Sequence, residues 1–248
     1  MASSQVVPLP LLNETHVVKS RQILKTVLVK FPYYSLFFLL LYIVVFVEIP
    51  LMSPTYQALL FDSDEGKIKE VYRWYTYSLL HIDVQHLLTN CFTWSIFASI
   101  VELENNKLRV FLMHTLGVLG GAFGCGWQIR FTGANIKLVG ASGGIYGLWS
   151  CQVGNLIINW PELNLFKRVM YTTLLVMMTL TDVIVNSVMY NPHVSYSTHI
   201  GGFFMGIFAG GALMHNVRKL KWERHFRAAC QIVVVLLTLA GSFNLLLP

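Results

Sequence analysis

Charged residues are scarce in this sequence of 248 residues, because Asp, Glu, Lys and Arg together make up only 12% of it. Soluble domains carry about 25% charged residues, whereas 55% of this chain is hydrophobic and its mean hydropathy is +0.58. The composition therefore excludes disordered and collagen-like chains and indicates a polytopic membrane protein. The net charge of +6 does not indicate a nucleic-acid partner, because membrane proteins concentrate Lys and Arg on their cytoplasmic side.

Cysteine is scarce as well. The four cysteines all fall inside apolar stretches and show no paired spacing. This pattern excludes a disulfide framework and a zinc site, and it is typical of small buried apolar residues. The sequence also lacks a P-loop, a zinc motif and an EF-hand loop, so we expect no metal and no cofactor.

Seven mainly apolar segments approach the length of roughly 20 residues that a membrane-spanning helix needs. They lie at 33–51, 84–103, 109–128, 139–159, 168–189, 197–215 and 229–247. No internal repeat or low-complexity run divides them, so we predict a single all-α polytopic transmembrane bundle. Its parts are a cytoplasmic N-terminal tail at 1–32, a six-helix core at 33–215, a basic cytoplasmic loop at 216–228 and a seventh spanning helix with the lumenal C-terminus at 229–248.

The distribution of basic residues predicts the orientation of the bundle. With the N-terminus in the cytoplasm, 13 of the 18 Lys and Arg residues lie on the cytoplasmic side and 5 on the other. The second, fourth and sixth spans then begin at the lumenal side. Their first turns carry His86 and Asn90, Ser142, and His199. Polar residues inside a membrane usually face the bundle interior, so we expect these four residues to form one layer.

Ser142 lies in the run Gly140-Ala141-Ser142-Gly143-Gly144, which fits the nucleophile pattern G-x-S-x-G. In soluble hydrolases that pattern needs a strand before the serine, and no strand pattern precedes it here. The alternative is that these small residues only let two helices approach closely. A serine hydroxyl becomes a nucleophile when an adjacent base takes its proton, so its neighbours decide between the two interpretations.

His199 is the best candidate for that base. It begins the sixth span, and Gly202 and Gly206 follow on roughly the same helix face. A face without side chains lets the sixth helix press against the fourth, which brings the imidazole towards the Ser142 hydroxyl. The alternatives are a histidine that bonds a carbonyl and a glycine face that serves packing alone.

His86 and Asn90 are four residues apart and therefore share one face of the second span. Both side chains can donate hydrogen bonds to the oxygen that becomes negative when a peptide carbonyl is attacked. The backbone N–H of Ser142, near the start of the fourth helix, can donate a further one. The alternative is an ordinary hydrogen-bonding pair between helices.

Three motifs of this chain, taken together, resemble those of the rhomboid intramembrane serine proteases. They stand in the family's order and on the second, fourth and sixth helices. The motifs are His81-x4-His86-x3-Asn90, Gly140-Ala141-Ser142-Gly143 and His199-x2-Gly202-x3-Gly206. The resemblance covers roughly 33–215, and the seventh helix resembles the six-plus-one arrangement of the eukaryotic, Drosophila Rhomboid-like members.

This resemblance implies a serine endopeptidase. Ser142 is then the nucleophile and His199 the general base, in a dyad without an acidic third member, while His86, Asn90 and the Ser142 backbone N–H hold the oxyanion. The resemblance also implies single-pass transmembrane substrates with easily unwound helices, growth-factor precursors among them. Membrane lipid is the other expected partner, and the secretory pathway (Golgi, endosome or plasma membrane) is the expected location.

Supporting roles follow from the same resemblance. Tyr146 is expected to pack against the catalytic imidazole, His81 to support the first lumenal loop, and Glu102 to act as a structural acid that bonds backbone or basic groups. Two departures from the family pattern stand out. Tyr72-Arg73 replaces a Trp-Arg pair, and Asn105-Asn106 replaces a glycine, which predicts an asparagine with positive φ.

Alternatives remain for the function and for one acidic residue. The first is a catalytically silent rhomboid-like protein that binds membrane clients for trafficking or degradation. A transporter would require two repeated halves with broken helices, and the sequence shows none. Asp182, in the fifth span, is solvated, paired with another helix, or involved in gating or substrate binding.

Overall fold

The structure, a computed structural model, describes residues 31–188, 195–218 and 220–247. Seven long helices dominate it, one in each predicted span, so the predicted all-α fold class is confirmed. They are α1 (Tyr33–Glu48), α2 (Val84–Glu104), α3 (Lys107–Thr132), α4 (Ser142–Asn159), α5 (Leu165–Val188), α6 (Tyr196–Leu213) and α7 (Lys221–Leu246). Among the described residues, α3 and α7 are long and apolar enough to cross a membrane by composition alone. The predicted tail at 1–32 lies almost wholly outside the described residues.

The segment between α1 and α2 folds into short elements. These are the helices Pro54–Leu59, Glu65–Ile68 and Arg73–Thr76, a 3-10 turn at Tyr77–Leu79 and the strand β1 (Phe61–Asp62). Strand β1 pairs antiparallel with β2 (Lys137–Leu138), just before α4. The sequence did not predict these strands, because two residues are too few to produce an alternating pattern. The ladder ties the first loop to the segment that leads into α4.

Arg73 holds this first loop together. Its guanidinium donates to the carbonyl oxygens of Gln57 at 2.7 Å and Leu60 at 2.9 Å, and to the carboxylate of Glu70 at 2.5 Å. Tyr72 lies beside the same guanidinium and donates its hydroxyl to Glu70. These hydrogen bonds lower the pKa of Glu70. The Tyr72-Arg73 pair therefore acts in the structure as an organiser of the loop.

Glu102, near the end of α2, accepts hydrogen bonds from N–H groups at the start of α1. Its carboxylate accepts the backbone N–H groups of Tyr34 at 2.9 Å and Ser35 at 2.8 Å, and the Ser35 hydroxyl at 2.8 Å. The first N–H groups of a helix have no partner within the helix, and negative charge is stabilising there. The prediction that Glu102 bonds backbone groups is therefore confirmed.

The prediction of a positive φ at Asn105-Asn106 is wrong. Asn105 has φ −129° and Asn106 has φ −75°, so both are in ordinary regions. The turn is closed by side chains instead, because Asn105 accepts the His215 backbone N–H at 2.8 Å and Asn106 caps α3 by accepting the Arg109 N–H at 2.9 Å. The start of α7 also differs from the prediction, since the helix begins at Lys221 within the predicted basic loop.

Glycines let α4 and α6 meet backbone to backbone. A β-carbon added at Gly202 would collide with the carbonyl oxygen of Gly143, and one at Gly206 would collide with the Gly147 oxygen and the Ser150 hydroxyl. These collisions mean that no side chain fits between the two helices at these positions. The spacing of α4 and α6 is thus fixed by main-chain contact.

We predict that Gly206→Ala destabilises the bundle by about 1–3 kcal/mol, because the added methyl group forces the two backbones apart. Thermal unfolding of the purified protein in detergent micelles measures the effect. Gly66→Ala is the matched control, since nothing lies within 4 Å of a β-carbon at Gly66. Equal unfolding temperatures for the two variants would contradict the assigned backbone contact.

Candidate active site

The beginnings of α2, α4 and α6 meet at one end of the bundle. There the His86 ring lies over Gly140, and the ring of Tyr146 lies against that of His199. The structure therefore brings together residues that the sequence placed in one layer. The first loop borders the same end through the β1–β2 ladder.

Ser142 is the first residue of α4. It follows Gly140, whose φ of 122° favours glycine, and the buried Ala141, the N-cap of the helix. The backbone N–H of Ser142 thus belongs to the first turn, where N–H groups lack helical partners and the helix dipole favours negative charge. The two residues of β2 stand just before this turn, so a minimal strand precedes the serine after all.

The glycines beside Ser142 leave room for side chains from other elements. A β-carbon on Gly140 would lie 2.8 Å from His86 Nε2 and 3.8 Å from Asn90 Nδ2. A β-carbon on Gly143 would lie 2.7 Å from the Tyr77 hydroxyl, which donates to the Val118 carbonyl at 2.8 Å. Both glycines therefore permit contacts that any larger residue would block.

Asn90 and His86 present donors without partners. Within the described residues, the buried Asn90 Nδ2 and His86 Nδ1 have no hydrogen-bond partner. A buried donor left without an acceptor costs about 1–3 kcal/mol, so an acceptor that arrives from outside would be bound favourably by these atoms. The Asp83 side chain fixes the start of α2 by accepting the His86 backbone N–H at 2.7 Å.

His81 lies at the end of the first loop, just before α2. Its ring packs against Tyr42 of α1, with centroids 5.7 Å apart, and against His86 at 5.2 Å. Burial, with a smaller contribution from His86, lowers the pKa of His81 to about 3. The ring is therefore neutral at physiological pH and joins the loop to two helices.

His199, in the first turn of α6, is held from two sides. Its Nδ1 lies 3.0 Å from the Asp182 carboxylate of α5. Tyr146, one turn after Ser142 on α4, stacks on the imidazole with centroids 4.2 Å apart and an angle of 12°. Within the described part of the chain, no hydrogen bond joins the Ser142 hydroxyl to this ring. Catalytic hydrogen bonds are often long before substrate binds.

Asp182 is the residue that sequence reasoning did not place. In the structure, the carboxylate of Asp182 is hydrogen-bonded to His199, the candidate base, and the sequence did not assign this partner. An ionisable residue inside a spanning segment is itself a signal of function. Which neighbouring helix the Asp182 side chain faces depends on how α5 packs, and this cannot be read from the sequence of α5.

A cavity of about 120 Å³ opens between α4, α5 and α6 beside this pair. Asp182 and His199 form its polar end, and Trp149, Phe203 and Phe204 are among its apolar walls. The imidazole of His199 therefore borders this cavity, and the His199 side chain is 11% exposed.

The sequence of this chain is similar to those of known proteins. Residues 69–216, more than half of the chain, match the family model described as Rhomboid domain. Rhomboid-related protein 2 of Mus musculus is 27% identical over 73% of this chain and 61% of its own length. Rhomboid-related protein 1 of Caenorhabditis elegans is 28% identical over 65% of this chain and 45% of its own length. Rhomboid-related protein 3 of Homo sapiens is 25% identical over 59% of this chain and 37% of its own length.

The chain spans less than two thirds of the length of these three curated relatives. The matched region nevertheless contains the starts of α2, α4 and α6 and with them every candidate catalytic residue. The chain therefore belongs to the rhomboid family and is an all-α polytopic membrane protein.

Proposed function

We propose that this protein is an intramembrane serine protease that cleaves other membrane proteins in or near their transmembrane segments. The observation that carries the proposal is the position of Ser142 at the start of α4, two residues after Gly140, where an added β-carbon would lie 3.8 Å from the unpaired amide nitrogen of Asn90. The stacked His199 supplies a base at the same end of the bundle. Membership of a family that includes serine proteases supports the same conclusion.

In the proposed mechanism, His199 takes the Ser142 proton as the hydroxyl oxygen attacks the peptide carbonyl carbon. The resulting oxyanion is held by His86, Asn90 and the Ser142 backbone N–H. Such preorganised donors stabilise charge that develops in the transition state. His199 then gives its proton to the leaving amine, and water hydrolyses the acyl-enzyme with the same imidazole as base.

Single-pass proteins with easily unwound transmembrane helices are the proposed substrates, growth-factor precursors among them. A helical peptide bond has its carbonyl engaged in the helix hydrogen bonds. A segment that unwinds readily therefore exposes its carbonyl to the serine at lower cost. A silent client-binding protein is the rival proposal, and dependence of cleavage on Ser142 separates the two.

We predict that Ser142→Ala abolishes cleavage, because alanine lacks the hydroxyl oxygen that attacks the peptide carbonyl and carries the acyl group. Release of a fragment from a tagged single-pass reporter, with Gly and Pro near its outer end, measures the rate in membranes. Ser95→Ala, on α2, is the matched control, since the half-buried Ser95 hydroxyl only donates to the Cys91 carbonyl of its own helix at 2.7 Å. Equal release by wild type and Ser142→Ala would refute the mechanism.

If no reporter is cut even by the wild type, labelling with a fluorophosphonate decides between the rivals. An active serine reacts covalently with this probe, and Ser142→Ala does not. A wild-type protein that neither cuts nor labels would support the silent client-binding protein.

We predict that Asn90→Ala lowers kcat by about 10²–10³-fold, the usual effect of losing one oxyanion donor. The KM for the reporter stays nearly constant, because the donor acts on charge that is absent from bound substrate. Thr89→Ala serves as control, since the exposed Thr89 hydroxyl only bonds the carbonyl of Gln85 in its own helix. A rise in KM at unchanged kcat would instead assign Asn90 to substrate binding.

The proposed orientation has a cytoplasmic N-terminus, a lumenal site and a lumenal C-terminus, in a membrane of the secretory pathway. The four native cysteines are buried, so a single introduced cysteine reports its own side. In sealed vesicles with the cytoplasmic face outward, we expect an impermeant maleimide to label Arg224→Cys at once and Gly66→Cys only after detergent. The opposite pattern would invert the topology.

A further inference from the structure

Asp182 lies inside a spanning helix, where a carboxylate is costly unless it is paired or faces water. Its neighbours on α5, Leu180 and Ile184, are 50% and 56% exposed and so face the outside of the bundle. The Asp182 side chain is only 22% exposed. It turns towards α6, and its carboxylate meets His199 Nδ1 at 3.0 Å.

This contact determines which nitrogen of the imidazole carries the proton. A carboxylate accepts hydrogen bonds, so Nδ1 donates and the neutral ring keeps its lone pair on Nε2. A base that takes a proton from Ser142 needs that lone pair. Bonding of Nδ1 to Asp182 thus leaves the ring in the tautomer that the proposed reaction requires.

The orientation of the ring is fixed at the same time. Tyr146 covers one face of the imidazole at 4.2 Å, which restricts tilting, and Asp182 fixes the Nδ1 edge, which restricts rotation. The Tyr146 side chain lines the same cavity as Asp182. The three side chains come from α4, α5 and α6 and hold one another.

We propose that Asp182 is a positioning residue that orients His199 and selects its tautomer, so that the site operates as a Ser142–His199–Asp182 triad. This inference rests on the proposed function. Asp182 acts through the imidazole and does not touch the reacting carbonyl. It also stabilises the imidazolium that forms when the base takes the serine proton.

Other titratable groups face His199 as well. They are Tyr146 from α4, His86 from α2 and Tyr196 from α6 itself. None of these is a carboxylate, so the negative charge beside the base comes from Asp182. Asp182→Asn therefore removes a charge that none of the other three groups supplies.

The experiment compares wild type, Asp182→Asn and Thr181→Ala in reporter cleavage at several substrate concentrations, with thermal unfolding measured in parallel. Asparagine keeps the size of the side chain and removes its charge. Thr181 is the control on the same helix, because its exposed hydroxyl only bonds the carbonyl of Met177. We expect Asp182→Asn to lower kcat about tenfold or more, whereas loss of the general base itself costs about 10²–10⁴-fold.

The split between kcat and KM gives the decisive reading. Asp182 acts through the imidazole and not on bound substrate, so we expect Asp182→Asn to lower kcat and to leave the KM for the reporter nearly unchanged. We expect Thr181→Ala to leave both parameters unchanged. A merely structural role would lower the unfolding temperature without lowering the kcat of the folded protein.

Two outcomes separate the failure of this inference from that of the proposed function. If wild type cleaves, Ser142→Ala is inactive and Asp182→Asn keeps the wild-type kcat and KM, the protease stands and the positioning role is overturned. If cleavage by wild type does not depend on Ser142, the proposed function fails and the triad fails with it.

Discussion

The backbone contact between α4 and α6 is the constraint on which the candidate site depends. Gly143 meets Gly202, and Gly147 meets Gly206, with no side chain between the helices. Helices that touch in this way cannot slide or separate without losing many close contacts at once. The starts of both helices are therefore held together, and each start carries one of the two groups that the proposed reaction needs.

Buried polar groups occur at both ends of the bundle. Away from the site, Glu104 accepts from Asn155, Lys167 and Tyr171, so its carboxylate is fully used. Unpaired buried atoms occur there as well, because Gln152 Nε2 has no partner in the described structure. At the site, Asn90 Nδ2 is likewise buried without a partner, and an unpaired buried donor lowers stability. What distinguishes Asn90 is therefore its position beside Gly140, in the turn that leads into Ser142.

Much of the fold could be predicted from the sequence, because each membrane-spanning helix appears as a continuous run of mainly apolar residues. Each predicted span contains a helix, and the spacing of Gly202 and Gly206 indicated the face that meets α4. What the sequence did not contain depends on tertiary context. The β1–β2 ladder is too short to leave a pattern, and side chains close the Asn105 turn where a positive φ was expected.

The rotation of α5 was equally out of reach, because most of its residues are apolar and either of its sides could face the bundle. Asp182 was recognised as an anomaly in a spanning helix, but its partner follows only from how α5 packs against α6. Unlike α6, this helix has no glycine face that would mark its side of contact in advance.

This difference in packing has a consequence for the site. Unlike α4 and α6, α5 contains no glycine and is held through side chains. Lys167 and Tyr171 bind Glu104 near its first turns, and Leu174, Leu175 and Met178 pack on the core further along. Its far half reaches the base through Asp182. The distance between nucleophile and base is therefore set by rigid backbone contact, whereas the orientation of the base depends on a helix held by side chains alone. In such an arrangement, a small displacement of α5 changes the orientation of the His199 imidazole without moving Ser142.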